Sequence, residues 1–83
     1  MQKDSKNIII LGGSGRIGSE IAKYLLSKNY EIYIMDKSKN KFLKNDRSII
    51  CDISRTSSFE KKFDLLIKKI KTVHTIINLS YLK

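Results

Sequence analysis

The sequence predicts an α/β fold: a partial doubly wound parallel sheet of four strands in the order 3-2-1-4, with helices on both faces. Three observations predict it. Short apolar runs alternate with longer amphipathic stretches along the whole chain, the pattern of βαβ units with right-handed crossovers. The first run, Ile8-Ile-Ile-Leu11, is apolar at every position, as a parallel strand covered on both faces requires. That run leads straight into a glycine-dense turn, Gly12-Gly-Ser-Gly-Arg-Ile-Gly18, which opens an amphipathic helix.

Taken in order, a leader over residues 1–6 precedes a first strand over 7–11. The first helix is expected over 16–28, with Ile17, Ile21 and Leu25 on one face, Tyr24 beside them, and Glu20, Lys23 and Ser27 outward. Asn29 is its expected C-terminal cap. A second strand follows over 31–35 and ends on Asp36. Residues 37–47 are polar and lysine-rich, with only Phe42 and Leu43 to bury, and predict a short helix or a single turn. Ser48 to Cys51 reads as a brief third strand. Ser57-Ser-Phe-Glu60 has the form of a capping box. The helix it opens buries Phe59, Phe63, Leu66, Ile67 and Ile70 and turns Lys61, Lys62, Lys68, Lys69 and Lys71 to water. A fourth strand over 73–79 completes the set. The chain reads as one domain over 1–83, without repeat or linker.

Composition narrows the function. The 83 residues carry 17 Lys+Arg against 8 Asp+Glu, a formal net charge of +9. Such a balance can signal nucleic acid or an anionic membrane. Here the basic residues are spread over helices and loops. Their densest cluster, Lys37, Lys39, Lys41 and Lys44, has one aromatic neighbour, Phe42, and no nucleic-acid motif. No specific nucleic acid and no membrane are expected as partners. The apolar run near the N-terminus is too short for a signal or a span. The single cysteine, Cys51, precludes an internal disulfide and fits a reducing, cytoplasmic setting. Cys51 and His74 lack a metal-ligand spacing and read as packing residues, His74 on a buried strand.

The glycine turn carries the chemistry. It satisfies both G-x-G-x-x-G, from Gly13, and G-x-x-G-x-x-G, from Gly12, between a strand and a helix. A tight turn needing positive φ would require one glycine; this turn holds all four in the chain. Glycines there let the backbone approach a pyrophosphate, which rests on the amides at the helix N-terminus. Gly12, Gly13, Ser14, Gly15, Arg16, Ile17 and Gly18 are therefore the candidate phosphate-binding residues.

Asp36 ends the second strand at the spacing of a carboxylate that accepts hydrogen bonds from the ribose hydroxyls of a dinucleotide. Its charge would repel a 2′-phosphate and favours NAD over NADP, although Lys37 and Arg16 offset that repulsion. Asp52 and Ile53, after the third strand, fall where an adenine would rest; a turn-initiating Asp is the plain alternative. Asn78 lies at the C-terminal end of the fourth strand, the edge where such sheets bind ligands, and reads equally as a structural Asn.

These segments resemble the short-chain dehydrogenase/reductase family. The resemblance rests on Leu11-Gly-Gly-Ser-Gly-Arg-Ile-Gly18 with Ser-Glu-Ile-Ala22, on Asp36, on Cys51-Asp-Ile-Ser54 and on Thr75-Ile-Ile-Asn-Leu-Ser80. It covers nearly all of the chain but only the first part of a typical family domain. It implies an NAD(P)-binding Rossmann half-domain of an oxidoreductase. The glycine spacing is similar to that of the sugar-nucleotide epimerase/dehydratase branch; Cys-Asp-Ile-Ser and Ile-Ile-Asn are equally similar to the shorter dehydrogenases. Three positions depart from the family pattern: Leu11 stands for a Thr, Leu79 for a second Asn, and Tyr81 for a Gly. The family's Tyr-x-x-x-Lys is missing, and Tyr81-Leu-Lys83 has the wrong spacing for it. The expectation is a cofactor-binding segment without a catalytic residue, inactive alone. It would work with a complementary C-terminal half, self-associate, or serve as a non-catalytic sensing or partner-binding module.

Overall fold

The computed structural model describes residues 6–12, 15–40, 43 and 45–80. Four strands, β1 (Asn7–Leu11), β2 (Glu31–Asp36), β3 (Ser48–Ile50) and β4 (Thr75–Asn78), form one sheet in the order β3-β2-β1-β4. Every pairing is parallel: Ile9 lies opposite Tyr33 and Ile76, and Met35 opposite Ile49. Helix α1 (Arg16–Ser27) joins β1 to β2, and α2 (Thr56–Ile70) joins β3 to β4. The predicted strand order and the parallel sheet are both present.

Alternation along β1 and β2 divides the core in two. Ile8, Ile10, Ile32 and Ile34 face α1 and pack with Ala22, Ile21 and Leu25. Ile9, Leu11, Tyr33 and Met35 face α2 and pack with Leu66, Phe59, Phe63 and Ile67. The two central strands are thus buried on both faces, which is why their sequences are continuously apolar.

The first helix packs on most of the row its apolar spacing gives: Ile21 and Leu25 lie against the sheet core, and Ile17 does not. Gly18 and Ala22 are its buried residues, while Ile17 is 61% exposed and Tyr24 points outward with it. The reason is volume. Four isoleucines already fill the sheet face, so the helix makes its closest approach on its small residues, with Ile21 and Leu25 half-buried beside them. The helix ends as Asn29 predicts. Asn29 takes φ +70°, its N–H donates to the Leu26 carbonyl and that of Tyr30 to Leu25, the paired bonds of a Schellman motif.

The second helix starts earlier than its capping box suggests. Its N-terminal boundary residue is Arg55, and no side-chain cap forms. A turn on Asp52 begins the helix instead, with Arg55 N–H donating to the Asp52 carbonyl at 3.0 Å.

Between β2 and β3, the described residues form one 3₁₀ turn at Asn45–Arg47. Asn40 is buried and its N–H reaches the Ser48 hydroxyl at 2.8 Å; Lys41, Phe42 and Lys44 lie outside the described residues. The fourth strand is shorter than expected. Its backbone pairing nonetheless extends past both ends, from His74 N–H to the Asn7 carbonyl and from Leu79 N–H to the Leu11 carbonyl. His74 is exposed, not buried: it precedes the strand and sets its ring edge-on to Tyr30 at 5.2 Å. Cys51 is buried, as expected of a packing residue, and burial pushes its thiol pKa up. Among the described residues, no helix is long and apolar enough to cross a membrane.

Candidate functional site

Parallel strands deliver all their C-terminal ends to one edge of the sheet, and there the molecule carries a cleft of about 550 Å³. Gly12 and Gly15 come from the turn after β1, Asp36 and Lys37 from the end of β2, Asp52 and Ile53 from the turn after β3. Ser54, Leu79 and Ser80 complete the lining. Arg16, Ile17 and Gly18 belong to the first turn of α1 and do not line the cleft; Gly13 and Ser14 lie outside the described residues, as do Tyr81 and Lys83.

Gly12 and Gly15 have different tasks in the turn. Gly12 sits at φ +78°, a left-handed conformation that disfavours any side chain. A Cβ there would come within 2.9 Å of the Ser80 Cα. Gly15 has ordinary backbone angles and is the N-terminal boundary residue of α1. A Cβ on Gly15 would meet nothing within 4 Å among the described residues, so they leave open space against the backbone at the head of the helix. No acidic residue occupies the first helical turn. The first-turn amides, which have no acceptor within the helix, and the positive end of the helix dipole meet no carboxylate in that turn, which suits an anion.

Asp36 is half-buried. Its Oδ1 accepts the Lys37 N–H at 2.7 Å, and its carbonyl accepts the Cys51 N–H at 2.8 Å. The strand end is therefore rigid and its carboxylate borders the cleft, a geometry suited to vicinal hydroxyls.

Asp52 is committed locally. Its Oδ1 accepts both the Ser54 N–H at 3.0 Å and the Ser54 hydroxyl at 2.6 Å, and Arg55 Nε stands 3.8 Å from Oδ2. The Ser54 hydrogen bonds hold its carboxyl below the usual range, helped by the positive charges of Lys37 and Arg55. Ile53, carried on this turn, packs against the α2-side core.

Asn78 repeats the arrangement after β4: its Oδ1 accepts the Ser80 N–H at 2.9 Å and the Ser80 hydroxyl at 2.6 Å. The residues that sequence reasoning passed over, Ser54 and Ser80, are the partners in these two turns. Their signal was the repeated pattern of Asp or Asn, an apolar residue, then Ser, just after each strand. Among the described residues, no cluster of three or more His, Cys, Asp or Glu side chains is placed to hold a metal ion.

Residues 8–80 match the model of the NAD-dependent epimerase/dehydratase family. Among curated proteins, the chain is 27% identical over 84 residues to an uncharacterized oxidoreductase, DltE, of Bacillus subtilis (strain 168), covering 94% of this chain and 33% of that protein. It is also 44% identical over 36 residues to a dihydropteridine reductase of Dictyostelium discoideum, covering 43% of this chain and 16% of that protein. The chain thus spans about a third or less of the curated relatives it matches. No solved structure matches it significantly.

Proposed function

Because the chain belongs to the NAD-dependent epimerase/dehydratase family, we propose that it is the dinucleotide-binding segment of a short-chain dehydrogenase/reductase-like enzyme, binding NAD in preference to NADP. The observation that carries this reading is the open space against Gly15 at the unopposed head of α1, facing the Asp36 carboxylate across one cleft. The pyrophosphate would lie on the amides at Gly15 and the first turn of α1. The adenosine ribose would donate its hydroxyls to Asp36, and the adenine would lie toward Ile53. A bound nicotinamide cofactor supplies hydride transfer; this chain's own residues bind and orient it.

Selectivity follows from charge. Lys37 is the one cation lining the described cleft, and it stands near two carboxylates, those of Asp36 and Asp52. A 2′-phosphate beside Asp36 would meet net repulsion. The family description favours the epimerase/dehydratase branch, whereas the names of both relatives describe oxidation or reduction. The dinucleotide is common to these readings. Catalytic residues would come from a complementary polypeptide or domain added along the outer side of β4.

Calorimetric titration with NAD and NADP tests the site. Wild type is expected to bind NAD more tightly than NADP. Asp36→Ala is expected to weaken NAD by about 10- to 100-fold, the loss of hydrogen bonds to a charged acceptor. Gly15→Val fills the space at the helix head and should abolish measurable binding of both. Failure of wild type to bind either cofactor at millimolar concentration would sink this reading.

A further inference from the structure

The turns after β3 and β4 share a bonding pattern, and among the described residues only the second bears on the glycine turn. Ser80, whose N–H and hydroxyl are both held by Asn78 Oδ1, lies directly over Gly12. A Cβ on Gly12 would stand 2.9 Å from the Ser80 Cα and 3.0 Å from its nitrogen. Both are backbone atoms that cannot swing aside. On its other side Gly12 donates its N–H to the Met35 carbonyl at 2.7 Å, and Leu79 N–H donates to the Leu11 carbonyl at 2.8 Å. The residue at which β1 becomes the glycine turn is therefore gripped between β2 and the turn after β4.

We propose that Asn78 is a positioning residue for the dinucleotide site. It acts through Ser80 on Gly12, fixing the backbone where the glycine turn begins, and makes no contact with the cofactor itself. Its amide oxygen is already spent on two donors within its own turn, and its side chain does not line the cleft. The inference rests on the cofactor reading above, which places the pyrophosphate on that turn.

A turn that merely terminated β4 would also lose stability on mutation, so the test needs a readout of coupling. NAD affinity is measured for the 83-residue chain carrying Asn78→Ala, Gly12→Ala and both together. Each single change is expected to weaken binding about 10-fold, and the pair no more than the worse single, because both release one contact. Asn78→Asp keeps the acceptor, as Asp52 does in the sister turn, and should retain affinity within about threefold of wild type. Amide hydrogen exchange of the cofactor-free protein supplies a second measurement that needs no ligand and no Gly12 variant. Asn78→Ala should speed exchange at Gly12 about 10-fold while leaving Ile9 unchanged.

Losses that multiply in the double variant would overturn the inference. So would weakened NAD binding by Asn78→Ala with Gly12 exchange unaltered, the signature of direct contact with the cofactor. If wild type binds no dinucleotide, the cofactor reading fails on its own; Gly12 exchange then still decides whether Asn78 holds the turn.

Discussion

Asp36, Asp52 and Asn78 bring similar oxygens to the same edge of the sheet and use them differently. Asp36 carries its carboxylate at the border of the cleft, where Oδ1 accepts the neighbouring Lys37 N–H, while the Asp52 carboxylate and the Asn78 amide oxygen fold back onto a serine two residues on. Sequence spacing singled out all three positions, because strand ends can be counted. It could not say which oxygens fold back onto a serine of their own turn, because that depends on a hydroxyl whose rotamer is set in three dimensions. The Asp52 turn has a pH signature. Its hydrogen bonds favour the ionised carboxyl, so the folded-state pKa lies below the unfolded one. Such a group stabilises the fold at pH values above the ordinary carboxylate range, and that contribution is lost as pH falls through the folded value. Asp52→Asn keeps an acceptor for Ser54 and cannot titrate. The thermal midpoint of wild type should therefore fall relative to that of Asp52→Asn as pH is lowered below about 4. A difference that stays constant between neutral pH and about pH 3 would contradict this account.

At the scale of the element, α1 decides how closely the glycine turn is seated on the sheet. Ala22 is fully buried against the isoleucines of β1 and β2, and Gly18 is buried one turn earlier. Ala22→Leu inserts volume where none is free and should destabilise the protein by about 1–3 kcal/mol. For a domain of this size, that lowers the melting temperature by roughly 4–8 °C per kcal/mol. Ile17→Ser, at the exposed flank, should change stability by about 0.5 kcal/mol or less. Equal losses from the two variants, measured by thermal melts, would mean that Ile17 packs into the core as its spacing suggested. Periodicity made the helix and its span legible, together with the Asn29 terminus. What was not legible was that Ile17 stays exposed while Gly18 and Ala22 make the closest approach, because that depends on how much of the groove the strand side chains already fill. The start of α2 was obscured in a related way, because the Asp52 turn overrides a capping box that is sound in isolation.

For the molecule as a whole, the two edges of the sheet are treated unequally. At the β3 edge, Lys62 reaches from α2 and donates to the Ile50 carbonyl at 2.5 Å, placing a charged side chain where another strand would pair. At the other edge, β4 pairs, among the described residues, with β1 alone, its four residues carry no charge, and Ile76 is 47% exposed. An uncharged strand with an exposed isoleucine on a chain otherwise dense in lysine is the natural point of association. The surrounding positive charge opposes nonspecific clustering but does not guard the strand itself. Sedimentation of the 83-residue chain should therefore show reversible self-association between about 10 µM and 1 mM. Raised salt should strengthen that association by screening the net charge of +9. Ile76→Lys puts a like charge on the exposed face of β4 and should shift the distribution to monomer without changing NAD affinity, since Ile76 lies outside the cleft. If wild type stays monomeric throughout that range at high salt, the β4 edge is protected by something other than charge. If Ile76→Lys associates as wild type does, the contact lies elsewhere on the molecule.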